Sequence, residues 1–187
     1  MSAIAQPNPD QRAAEKDQLL ARLKASRDRY LAVLADVGEG SCRVCPDEGA
    51  WSVLECAEHV SGAERGMFQM VLDRKPTEAE PDRQVDLRIL RMADEGTAKA
   101  EAPERSRPKG RFSTLEEARQ AFLSGREKTI AWVGENEDDL RKFTVAHPMG
   151  TFDAYQLLLI MAMHAERHAR QIERIKRSSA YVAGLQS

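Results

Sequence analysis

No apolar run in the chain approaches the length of a membrane span, and Met1 to Asp10 lack a basic stretch followed by an apolar one. Neither a membrane anchor nor a secretory leader is expected, and a cytoplasmic protein is. Cysteine is sparse: three in 187 residues do not make a disulfide framework, which agrees with a reducing compartment. Charge of one sign does not dominate, since the net charge is −2 and the pI near 6.1, so no global field draws in nucleic acid or anionic lipid. The basic cluster Arg105, Arg107, Lys109 and Arg111 is short and bounded by acids, so no nucleic-acid partner is expected. Aromatic residues make up only 5% while charged residues reach 31%, a balance that fits helices with solvated outer faces better than a β-sandwich.

What is present is helical periodicity. One domain large enough for a sizeable core is expected, an all-α bundle over residues 10–178 between a flexible tail at 1–9 and a C-terminal tail at 179–187. Leu19, Leu20, Leu23, Tyr30, Leu31, Val33 and Leu34 recur at helical spacing and define a first long helix from Asp10 to about Val37, stopped by Gly38 and Gly40. Ser52 followed by Glu55 is a capping box, with Trp51 before it as a staple, and opens a second long helix to about Arg74. Prolines at 76, 81, 103 and 108 break the next stretch, a crossover with a short helix at Val85 to Ala93 and mobility over 94–110. Ser113 and Glu116 repeat the capping-box pattern ahead of a third long helix to about Glu135. A long connection then leads to Thr151, the expected N-cap of a fourth, with Asp153 in its first turn.

The fourth helix carries the chemistry. From Thr151 to Val182 there is no proline or glycine, and His164 and His168, four apart, leave the same side of the helix. That side is the apolar stripe of Leu157, Ile160, Met161, Ile172 and Ile175, while Glu166, Arg167 and Arg170 turn away. Two imidazoles buried together repel when charged and suit a divalent metal when neutral. The main candidate for a third ligand is His59, whose helix face also carries Cys56, Gly62, Ala63, Gly66 and Met70; the small residues leave room for a neighbouring helix or a ligand. If the second and fourth helices run antiparallel, His59 lies ~10 Å and the pair ~15 Å from one shared end, nearer in level than the ~21 Å of a parallel arrangement. The long crossover permits the second and third helices to run the same way.

Trp51-Ser52, Glu58-His59-Val60, His147-Pro148-x-Gly150 and His164-x-x-x-His168-x-x-Gln171-Ile172 together resemble the DinB/YfiT-like superfamily of small bacterial four-helix proteins, over nearly the whole chain. The resemblance implies an up-down-down-up four-helix bundle in which His59, His164 and His168 bind a divalent metal, commonly zinc or nickel. It also implies hydrolase-like chemistry or transfer of a low-molecular-weight thiol such as bacillithiol or mycothiol, acting on a small-molecule substrate.

Three histidine ligands leave a position open, as catalytic zinc sites do. A bound water there can attack a carbonyl or phosphoryl centre, and a thiol bound there can attack an electrophile. Thiol transfer is expected slightly ahead of hydrolysis. The competing readings are a non-catalytic metal-binding or protein-interaction bundle, in which a helical face could pair two copies as a homodimer, and three packed core histidines. His164-Ala165-Glu166-Arg167-His168 differs from the H-E-x-x-H of zincins by the place of its glutamate, so Glu166 is read as a solvated charge. Gln171 and Glu55, one turn from His168 and His59, are the candidates for supporting or catalytic roles, although capping already explains Glu55. His147 is read as a loop residue, Cys42 and Cys45 as loop thiols with a redox switch as the lesser alternative, and Cys56 as a small core residue.

Overall fold

The computed structural model describes residues 9–92 and 104–185. Four long helices form the bundle: α1 (Pro9–Leu34), α2 (Val53–Leu72), α4 (Leu115–Glu135) and α5 (Ala154–Lys176). Shorter pieces are β1 (Lys75–Pro76), α3 (Arg83–Arg91), β2 (Phe143–His147), β3 (Gly150–Asp153) and α6 (Ser179–Gly184), with 3-10 turns at Ser41–Arg43, Glu104–Ser106 and Leu140–Lys142. Expected tail residues 1–8 and 186–187, and the part of the expected mobile crossover at 94–103, lie outside the described residues.

Cross-helix pairs fix the direction of each helix. Tyr30 stacks on Phe122 with ring centroids 4.6 Å apart, while Lys16 reaches the carbonyl of Asn136, so α1 and α4 are antiparallel. Glu64 meets Arg126 and Phe68 meets Trp132, so α2 and α4 run the same way. Arg29 pairs with Glu166 and Glu173, and Lys176 reaches the Val33 carbonyl, which makes α1 and α5 parallel. The order is up-down-down-up, and the crossover between α2 and α4 makes it possible.

Apolar faces close the bundle around α5, from which Leu157 through Met163 are all buried; its first half is surrounded by Leu19, Leu23, Val71 and Val133, its second half by Tyr30, Val53, Val60 and Phe122. Midway, Arg126 is fully buried: Nε and Nη2 bind Glu64, Nη1 binds the Leu23 carbonyl and Ser26 Oγ, and Nη2 also reaches the Met161 carbonyl. Every acceptor needed by the charge is supplied inside the core.

Several boundaries differ from those expected. The connection after α4 is not all loop: Val145 pairs with Phe152 and His147 with Gly150 in an antiparallel hairpin, joined by Lys75↔Thr144 to β1, so a small three-stranded sheet caps one end. Aromatic and β-branched residues alternate here over too few positions to stand out in the sequence. Gly150 at φ 134 completes the two-residue turn in a region that disfavours side chains. The N-cap of α5 is Asp153 rather than Thr151, in a capping box with Gln156. The N-cap of α4 is Thr114, boxed by Glu117 rather than Ser113 by Glu116, and Glu39 accepts from the N–H groups of Leu115 and Glu116 across the chain. Residues 179–184, expected in a tail, form α6 because Ser178 caps it and Tyr181 packs inward, 3% exposed, with its hydroxyl against Ser41. No helix among the described residues is long and apolar enough to cross a membrane.

Candidate metal centre

The geometry of α2 and α5 brings the three histidines together. Nε2 of His164 lies 3.1 Å from Nε2 of His59 and 3.2 Å from Nε2 of His168. All three nitrogens fall within 4.8 Å of one another, the one such cluster of histidine, cysteine or acidic groups among the described residues. A tetrahedral ion with bonds of about 2.0–2.1 Å requires ligand nitrogens about 3.3 Å apart, which the two distances from His164 match.

Each imidazole is held neutral. Burial pushes His164 well below the ordinary value, with His168 and His59 adding to the shift. Burial likewise brings His168 down to about 3; Gln171 beside it opposes the shift, but its amide does not reach hydrogen-bond geometry with Nδ1. His59 is lowered by burial, against the effect of its hydrogen bond to Ser106, and Arg111 lowers it further. His164 as a residue is partly exposed, yet its Nδ1 is shut off from solvent.

The tautomer of His59 follows from its partner. Nδ1 lies 2.6 Å from the Ser106 carbonyl oxygen, which can only accept, so Nδ1 carries the proton and Nε2 presents a lone pair to the cluster. A proton on His164 Nε2 can answer both neighbours only by pointing between them, while Nδ1 of His164 and of His168 is buried without a partner whichever tautomer is present. A divalent ion takes all three lone pairs at once. On this test the donor set, its neutrality and its spacing fit a metal.

Trp51 packs its ring 4.9 Å from that of His59 and walls the site. Behind His59, the Glu58 carboxylate accepts from the N–H groups of Lys109 and Arg111 at 2.6 and 3.0 Å. Burial pushes this carboxyl up, but those N–H groups and the Arg111 guanidinium more than offset it and hold it below its ordinary value. The stretch from Ser106 to Arg111, most of it within the 94–110 expected to be mobile, is thus tied to α2 at two places. Neither Ser106 nor Glu58 had been assigned a role: a backbone carbonyl leaves no sequence signal, and the acid beside His59 was visible only as part of a motif.

The remaining candidates lie elsewhere or are occupied. Both the N–H and Oγ of Ser52 donate to Glu55 Oε2, so its carboxylate serves the helix cap. Glu166 pairs with Arg29 at 3.2 Å on the outer face, as a solvated charge would. His147 sits on the β2–β3 hairpin, accepting at Nδ1 from Met149 N–H, and takes no part in the cluster. Cys56 is fully buried and burial keeps its thiol protonated; Cys42 and Cys45 are raised by burial as well, so none of the three is an activated thiolate. Two cavities formed by the described residues are lined by Arg12, Lys16, Asp138 and Tyr155, and by Val85, Met92, Met149 and Ile160, away from the histidines.

Comparison with known proteins agrees with this architecture. The family described as the DinB superfamily matches residues 7–172. Among solved structures, "TT2238, a four-helix bundle protein" aligns with a TM-score of 0.53 at 22% identity over 85% of this chain and 98% of its own. YfiT from Bacillus subtilis, described as "a probable metal-dependent hydrolase with an unusual four-helix bundle topology", aligns with a TM-score of 0.58 at 11% identity over 95% of this chain and 92% of its own. No curated protein matches the sequence.

Proposed function

This chain belongs to the DinB superfamily, and from that premise we propose that it is a metal-dependent hydrolase whose divalent ion is held by Nε2 of His59, His164 and His168. The observation that carries the proposal is the convergence of three neutral imidazole nitrogens from two helices on one point. A zinc or nickel ion held there would supply Lewis-acid activation of water and of a carbonyl or phosphoryl centre in a small-molecule substrate. The chain's own residues do the rest. Ser106 fixes the tautomer of His59, burial keeps all three ligands unprotonated at neutral pH, Trp51 offers an apolar wall, and Gln171 stands beside His168 to orient an imidazole or a substrate. Hydrolysis stands first because the description of YfiT, whose fold this chain shares, points to it.

Transfer of a bacillithiol- or mycothiol-like thiol is the second reading. The raised thiols of Cys42, Cys45 and Cys56 mean that such a reaction draws its nucleophile from an added low-molecular-weight thiol and not from the protein. The bundle over residues 10–178 is the active unit, and its three free cysteines accord with a cytoplasmic setting.

The test is turnover of activated esters, thioesters and amides by zinc- or nickel-loaded protein, with and without added thiol and an electrophilic probe. Hydrolysis at least about tenfold faster than by the His168→Ala variant supports the proposal. Equal rates contradict it, and turnover that requires the added thiol moves the assignment to transfer.

A further inference from the structure

The same segment that holds His59 carries a guanidinium whose bonding is half complete. Arg111 Nε donates to Glu58 Oε1 at 2.9 Å, and the Glu58 side chain is 2% exposed. Nη1 and Nη2 make no hydrogen bond among the described residues, and the Arg111 side chain is 37% exposed. Arg126 shows what a purely structural arginine does in this fold: Nε and Nη2 grip Glu64 together and Nη1 finds two further acceptors.

The end of Arg111 that has no partner among the described residues has a place built for it. It lies over Gly62, where a Cβ would stand 2.8 Å from Nη2 and 3.4 Å from Nη1, so that a side chain there would push the guanidinium aside. Glycine inside a helix carries a propensity cost, and here it clears the floor under the guanidinium. Gly62 is three residues past His59, a rise of ~4.5 Å along α2. A guanidinium anchored at Nε, with its Nη1–Nη2 edge free, matches the two oxygens of a carboxylate.

Resting on the reading of the histidine cluster as a metal centre, we propose that Arg111 is a substrate-binding residue: it takes a carboxylate on the small molecule whose reacting group sits at His59, His164 and His168. Glu58 positions it and Gly62 makes its room. The substrate class narrows to small anionic molecules, with the carboxylate a few ångströms to one side of the scissile bond.

The test compares two zinc-binding probes of nearly equal shape, succinic monohydroxamate and butyrohydroxamate, by calorimetric titration of the zinc-loaded full chain after its zinc content is measured. The carboxylated probe binds about tenfold tighter to wild type, the size of a charge-assisted hydrogen-bonded pair. That ratio falls toward one in Arg111→Met. It also falls in Gly62→Ala, whose added methyl displaces Nη2 without removing charge and whose higher helix propensity preserves the fold, so Gly62→Ala decides the matter even if Arg111→Met does not fold. A ratio near one in wild type, or one that survives both substitutions, overturns the assignment of Arg111 while leaving the metal centre standing. Failure of wild type to take up zinc overturns both.

Discussion

Nε2 of His164 on α5 lies 3.1 Å from Nε2 of His59 on α2, across a separation of 105 residues in sequence. Such an approach of two ring nitrogens inside a protein requires at least one to be unprotonated at that atom, and burial enforces this for the whole cluster. The consequences can be measured without knowing the substrate.

Stability of the metal-free protein falls with acid through the histidines. The folded pKa of His168 is lowered to about 3, whereas an unfolded chain titrates at about 6.5, so below that value the unfolded state binds a proton the folded state refuses. The stabilising contribution is present above about pH 6.5 and is lost as pH falls, at about 1.4 kcal/mol per pH unit for each such histidine. Urea unfolding of wild type across this window is expected to show a slope steeper than that of His168→Ala by about one proton. Parallel slopes would show that His168 titrates normally in the folded state.

Glu58 acts on the centre through the segment it ties down. Glu58→Ala frees the N–H groups of Lys109 and Arg111 and loosens the Ser106 carbonyl that orients His59. Metal affinity, measured by competition with a chromophoric chelator, is expected to drop about 10–100-fold with the helical circular dichroism retained. An affinity equal to that of wild type would mean that the segment covers the site without orienting it.

In the core, Glu64→Ala strands the Arg126 charge among Leu23, Ser26 and Met161 and is expected to cost about 3–5 kcal/mol in chemical denaturation. Replacing both partners with apolar residues, Glu64→Leu with Arg126→Met, should restore much of that loss. If the double variant is no better than the single, the pair is specifying packing as well as satisfying charge.

The helices and the histidine cluster were legible because both follow local rules. Periodic leucines marked α1, Ser52 and Glu55 marked the start of α2, and the spacing of His164 and His168 on an apolar stripe marked the site. What stayed hidden depends on contacts far along the chain. The hairpin of β2 and β3 is short and takes its place by pairing with Lys75 and Pro76, and the Arg126–Glu64 pair looks like two surface charges until α2 and α4 are set side by side. In the sequence the basic cluster around Arg111 is only a short run bounded by acids; the buried Glu58 and the bare Gly62 give Arg111 a fixed direction.

Metal content bears most directly on the central claim. Untagged protein, incubated with zinc or nickel, dialysed and analysed by elemental mass spectrometry, should carry about one divalent ion per chain, because three neutral imidazoles at this spacing form one site. His164→Ala, whose Nε2 stands between the other two, should lose that ion while its circular dichroism stays helical. Retention of a full equivalent by a folded His164→Ala variant, or no metal in wild type, would contradict the account and return the three histidines to the packing of the core.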